Sequence, residues 1–197
     1  PLSLLDIARQ LLGVKEIILS QADCWIKRVK QSSMLSNKDQ RMHCDWGNNQ
    51  LIPSDWDAPD SVSVIVYLDG PEECSGGGTA LVPRKTSSDQ LYHSDKLDIQ
   101  PGYGDRPFLN NRVSAENWFR KHNPSDYHFR QQLYQREKII TPKRGRVLFY
   151  RLDTWHRGIP LTEGSRRVYS LVFQKAEETS RSGRWNCGFW KNSYYWR

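Results

Sequence analysis

Cysteine is scarce in this chain: four among 197 residues, at Cys24, Cys44, Cys74 and Cys187, with no CxxC pair. At that density a disulfide framework is not expected. The thiols are read as reduced, as in a cytoplasmic protein. No apolar run approaches the ~20 residues of a membrane-spanning helix; the clearest, Val64 to Leu68, is strand-sized. No charged segment followed by an apolar stretch opens the chain, so no signal peptide is read. Residue 1 is Pro, so the sequence is read as a fragment or trimmed chain. There is no Lys/Arg block of five or more, no internal repeat and no low-complexity segment. Hydrophobic residues are few at 37%, but 8 Trp, 9 Tyr and 6 Phe supply large side chains for a core.

Charge is unevenly spread. The net charge is +7, and residues 143–197 hold 12 Lys/Arg against 4 Asp/Glu. The remaining residues are nearly balanced, 17 against 18. A basic third fits an anionic small molecule as well as nucleic acid. No nucleic-acid recognition motif accompanies the charge, so nucleic acid is not expected as a partner.

Short strands divided by turns dominate the pattern. Leu4 to Leu12 has helical apolar spacing and ends at Gly13. Lys15 to Lys30 reads as one or two strands, and Arg41 to Trp46 as a short one broken at Gly47. Ser61 to Leu68 is the clearest, with Val62, Val64, Val66 and Leu68 on one face. Thr79 to Val82 follows a glycine run. That run lacks the Lys of a phosphate-binding loop, and no helix follows it. Residues 84–142 read as an insertion carrying helices at Ser114–Lys121 and Asp126–Glu137, with Ser114 and Ser125 as candidate caps. Arg146 to Arg151 and Arg166 to Lys175 are strands, with a turn at Glu163-Gly164 between them. Trp25, Trp46, Trp118 and Trp155 are assigned to the core or a pocket wall. The aromatic, basic tail at 183–197 is expected to pack on its own domain. The expectation is mainly β with flanking helices, one domain over 1–197, built as a sandwich or barrel.

The residues able to carry chemistry are few. His43-Cys-Asp45 is an H-x-D triplet. On a strand, positions i and i+2 point the same way, so imidazole and carboxylate can converge on one ion while Cys44 faces away. With a distant second His this makes the two-histidine, one-carboxylate set that leaves open positions on Fe(II). His156 lies 111 residues beyond Asp45. The triplet alone is weak, because His93-Ser-Asp95 matches it too; that copy lies in a polar stretch and reads as a solvated loop. Ten residues past His156 stands Arg166, with Val168 and Ser170 on its face and Arg167, Tyr169 and Leu171 on the other. An Arg pointing into a barrel is costly unless it meets an anion, and its fork suits a carboxylate. Solvated edge-strand charges are the other reading of both arginines.

Several segments in order carry a resemblance. They are Met42-His-Cys-Asp-Trp-Gly-Asn-Asn49, Val66-Tyr-Leu-Asp69, Gly76-Gly-Gly-Thr-Ala-Leu-Val-Pro83 and Gly145-Arg-Val-Leu-Phe-Tyr150. Asp153-Thr-Trp-His-Arg-Gly-Ile-Pro160 and Arg166-Arg-Val-Tyr-Ser-Leu-Val-Phe173 complete the set. Together they resemble the phytanoyl-CoA dioxygenase family of Fe(II)/2-oxoglutarate oxygenases over roughly residues 15–195. The resemblance implies a double-stranded β-helix, a jelly-roll or cupin-like barrel. It implies that His43, Asp45 and His156 bind Fe(II), and that family order selects His43 over His93. It implies 2-oxoglutarate as cosubstrate, O2 as oxidant, and Arg166 or Arg167 with Ser170 at the cosubstrate. Alignment favours Arg166; a one-residue loop shift favours Arg167. The expected activity is hydroxylation of a small organic substrate, with the basic third suggesting an anionic one, and decarboxylation of 2-oxoglutarate to succinate and CO2. The resemblance also makes Asp45 favour hydroxylation or a related oxidation, since related halogenases carry a small residue there. Two departures stand out. Pro83-Arg-Lys-Thr replaces the family's Pro-Gly-Ser-His, and the N-terminal helical portion is short. The competing reading is a cupin-like barrel that binds metal or ligand without turnover.

Overall fold

The structure, a computed structural model, describes residues 3–29, 37–45, 59–92 and 111–176. His93, Asp95, Trp46, Gly47, Cys187 and the tail at 183–197 lie outside the described residues. Among the described residues the chain forms three α-helices and eight strands: α1 (Leu4–Leu12), β1 (Ile17–Arg28), β2 (Ser61–Tyr67), β3 (Cys74–Gly76), β4 (Thr79–Leu81), α2 (Arg112–His122), α3 (Pro124–Arg136), β5 (Lys138–Ile140), β6 (Val147–Arg151), β7 (His156–Gly158) and β8 (Leu161–Lys175). No described helix is long and apolar enough to cross a membrane.

The strands make two antiparallel sheets. One runs β1-β8-β2-β6, with β3 also pairing β8; the other runs β5-β4-β7. Residues 40–43 reach the second sheet through an isolated bridge between His43 and His156. With that segment counted at the β7 edge, the strand order is that of a jelly roll.

The valine alternation in β2 behaves as expected, and its destination is the outside of the barrel. Val62 and Val64 pack with Phe173 of β8 and with Ala8 and Leu12 of α1. Each such buried side chain contributes ~1.5–3 kcal/mol, so α1 seals this face. Ser3 caps α1 in a capping box with Asp6, and Gly13 closes it in the left-handed conformation. The opposite face of β2 carries Ser63 and Tyr67, both buried. A second core gathers Met42, Cys44, Leu133, Tyr134, Leu152 and Trp155.

Four local expectations change. Residues 41–45 form no continuous strand, because α3 takes the backbone groups of Met42: its N–H donates to Tyr134 Oη (3.2 Å) and its carbonyl accepts from Arg130 Nη2 (2.8 Å). Glu163-Gly164 is no turn. β8 runs through it with Gly164 at φ 72°, and Ser165 N donates to Glu73 O (3.2 Å). The helix caps are Asn111 and Asn123, each three residues ahead of the N–H it accepts from, rather than Ser114 and Ser125. Pro124 begins α3, where its missing N–H costs nothing. The segment read as an insertion ends by supplying β5, which pairs β4.

Candidate functional site

β7 and the 40–45 segment bring the H-x-D triplet and the distal histidine together. His43 N donates to His156 O (2.9 Å), His156 N donates to His43 O (2.8 Å), and Asp45 N donates to Leu152 O (2.9 Å). Side chains alternate as extended backbone requires: Met42 and Cys44 enter the core, and His43 and Asp45 turn to the other side. One ligand atom from each of His43, Asp45 and His156 lies within 4.8 Å of the others. His156 Nε2 is 3.3 Å from Asp45 Oδ2, and His43 Nε2 is 3.9 Å from Asp45 Oδ1. Each ring is oriented by its other nitrogen: His43 Nδ1 lies 2.8 Å from Arg41 O and His156 Nδ1 2.9 Å from Thr154 O. A carbonyl only accepts, so both Nδ1 atoms carry a proton and both Nε2 atoms face the carboxylate.

The electrostatics suit a cation. Burial, then the neighbouring His156, pushes His43 down to about 3, so it stays neutral. Burial opposes charging of His156 too, but the Asp45 carboxylate outweighs it and raises that ring. Donors ~2.1 Å from one ion and at right angles sit ~3 Å apart, so a small contraction of this cluster would bring its three donors to metal-ligand spacing. Tyr150 packs 4.9 Å from the His156 ring. Burial and then Asp45 raise its hydroxyl, which stays protonated.

Arg166 and Arg167 face opposite ways. Arg166 is 8% exposed; its Nη1 donates to Gly77 O and its guanidinium lies 5.9 Å from the Tyr67 ring. Its buried Nε has no hydrogen-bond partner among the described residues. The Arg167 side chain is 52% exposed and donates through Nη2 to Asp69 Oδ1 (2.7 Å). Ser170 shares the inward face with Arg166 and is half-buried.

Sequence reasoning missed the groups that hold this geometry. Arg130 and Tyr134 clamp Met42 and meet Glu116 of α2. Tyr92 Oη accepts from Trp155 N (3.3 Å), one residue before His156. Lys27 is buried opposite Arg166. These are side chains distant in sequence, and no local pattern flags them. Trp155 is core as expected, its Nε1 donating to Leu91 O (2.6 Å). Trp25 is 46% exposed, because its strand lies at the sheet edge.

No protein-family model and no curated protein matches the chain. Solved structures do. The non-heme alpha-ketoglutarate-dependent carbocyclase SnoK from nogalamycin biosynthesis superposes with TM-score 0.56 at 18% identity, over 88% of this chain and 56% of its own. EctD from S. alaskensis gives 0.51 at 16%, over 88% and 50%. The epimerase SnoN, solved with Fe3+, alpha-ketoglutarate and nogalamycin RO, gives 0.50 at 18%, over 87% and 55%. The chain spans about half the length of these structures. The likeness establishes the jelly-roll fold.

Proposed function

We propose that this chain is an Fe(II)- and 2-oxoglutarate-dependent dioxygenase of the hydroxylase type, akin to the phytanoyl-CoA dioxygenase family, acting on a small organic molecule. The observation that carries the reading is the convergence of His43, Asp45 and His156, with one ligand atom of each within 4.8 Å of the others. The opposite sheet carries, on β8, a buried arginine whose Nε has no hydrogen-bond partner among the described residues. SnoK is alpha-ketoglutarate dependent, and SnoN was solved with Fe3+ and alpha-ketoglutarate, which supports it.

His43, Asp45 and His156 would hold the ion, each giving one donor atom and leaving the opposite side open. The bound ion, with 2-oxoglutarate and O2, supplies oxidative decarboxylation to succinate and CO2 coupled to oxidation of the substrate. Arg166 would receive the distal carboxylate with its free Nε edge. Arg41 O and Thr154 O fix the imidazole planes before any ligand arrives. The Met42, Cys44 and Trp155 core behind them excludes water. Arg167, tied to Asp69 on the outer face, would take no part.

Thermal unfolding under anaerobic Fe(II) with 2-oxoglutarate tests this. Ligand at a hundred times its Kd adds about 2.7 kcal/mol, or roughly 5–10 °C for a chain of this size. The rise should vanish in His43→Ala and Asp45→Ala, lose its 2-oxoglutarate part in Arg166→Ala, and survive in Arg167→Ala. An undiminished rise in both ligand variants overturns the assignment. Binding with no succinate formed across a substrate screen favours the non-catalytic barrel.

A further inference from the structure

Lys27 of β1 lies directly opposite Arg166 of β8 in the strand register. Opposed residues place their Cβ atoms ~5 Å apart on one face. Both side chains are 8% exposed, and like charges so placed repel unless something negative lies between them. Their hydrogen bonds lead to one place. Lys27 Nζ donates to Ile159 O (2.9 Å) and Lys38 O (3.4 Å), and Arg166 Nη1 donates to Gly77 O. The two acceptor segments are bonded to each other, Gly77 N to Pro160 O (2.8 Å) and Ile159 N to Gly78 O (2.9 Å).

Among the described residues no carboxylate forms an ion pair with either cation. Asp39 is the acid whose field reaches Lys27, and it is engaged by Arg157, which also holds Glu137. Burial and then Arg166 lower the Lys27 ammonium from 10.5 to about 8. At neutral pH two positive charges therefore line this wall, one of them with an unsatisfied buried N–H.

The lysine head lies beside Gly158. A Cβ there would sit 2.7 Å from Gln40 Oε1 and 3.5 Å from Lys27 Nζ. His156 and Gly158 point to the same side of β7, ~7 Å apart along the strand. The Lys27 head thus lies beside a residue two positions along β7 from a candidate metal ligand.

We propose that Lys27 is a second cosubstrate-binding cation, which with Arg166 receives the distal carboxylate and makes the pocket selective for a dicarboxylic 2-oxo acid. This rests on the reading under Proposed function. A 2-oxo acid lacking the distal carboxylate leaves both buried cations unneutralised, so selectivity comes from the penalty on the wrong ligand as well as attraction to the right one.

Anaerobic calorimetric titration of the Mn(II)-loaded chain, with 2-oxoglutarate and with 2-oxopentanoate, tests the inference. Lys27→Met should weaken 2-oxoglutarate at least tenfold, leave 2-oxopentanoate no weaker, and leave Mn(II) affinity unchanged. Lys27→Gln, which keeps a donor without the charge, should behave the same way and covers the case in which the Met variant fails to fold. Wild-type 2-oxoglutarate affinity in a folded Lys27→Met or Lys27→Gln overturns the inference. If Arg166→Met alone loses the diacid, the oxygenase reading stands without it. A wild-type chain that binds Mn(II) but neither oxo acid removes both.

Discussion

Lys27 stores electrostatic strain that can be read in the ligand-free protein. Its ammonium falls from 10.5 to about 8 on folding, through burial first and Arg166 second. Between those values the unfolded chain holds a proton that the folded chain has released. More protons bound in the unfolded state means that stability rises with pH across that window. The drop of about 2.5 units corresponds to about 3 kcal/mol at 1.36 kcal/mol per unit. At pH 7 both states are protonated and the folded one carries the whole penalty. Lys27→Met removes it and loses hydrogen bonds to Ile159 O and Lys38 O, each worth about 1 kcal/mol. The variant should thus be more stable than wild type at pH 7, by about 1 kcal/mol. Urea unfolding of both proteins from pH 7 to 10.5 measures the gap, and titrations common to the two cancel. Wild type should gain about 3 kcal/mol relative to the variant over this range. A difference that stays flat refutes the claim that the pocket holds an uncompensated ammonium.

Two further outcomes follow from the packing. Gly164 has φ 72°, and a Cβ there would lie 2.0 Å from Glu73 O. Gly164→Ala should cost at least ~2 kcal/mol, from left-handed strain plus displacement of β3; a fall below ~0.5 kcal/mol in urea unfolding contradicts that placement. Arg130→Met strips the hydrogen bonds to Met42 O and Glu116. It should cost about 2–3 kcal/mol. It should also weaken Mn(II) binding, since His43 follows Met42; lost stability with unchanged Mn(II) affinity would make the clamp structural only.

What could be read from the sequence was what depends on neighbours along the chain. Period two placed Val62 and Val64 on one face and separated His43 and Asp45 from Cys44, and the structure keeps both patterns. Helical spacing and Gly13 bounded α1. What could not be read depends on partners far away. Nothing around Met42 shows that a tyrosine and an arginine 92 and 88 residues later will take its backbone groups and stop a strand from forming. Lys27 looks like a solvent-facing charge until β8 is laid beside it. Trp25 shows the reverse error, since an aromatic residue was assigned to an interior that its edge strand does not provide.

The choice between Arg166 and Arg167 turns on the phase of β8, which composition cannot set. Gly164 bends the strand where β3 joins it. Just beyond, Asp69 Oδ2 accepts from Arg167 N (2.6 Å) while the same carboxylate holds the Arg167 guanidinium. Hydrogen bonding to Arg167, which outweighs burial, keeps the Asp69 carboxyl below the usual range, so the contact persists at neutral pH. Leu68 N donates to Arg167 O (3.1 Å), fixing the other side of the same residue. With Arg167 held outward at three points, alternation leaves Arg166 no direction but inward. A one-residue slip would exchange them and bring Tyr169 and Leu171 to the inner face in place of Val168 and Ser170. The buried Asp69 thus decides which guanidinium turns to the inner face, although it lies on the opposite side of the sheet.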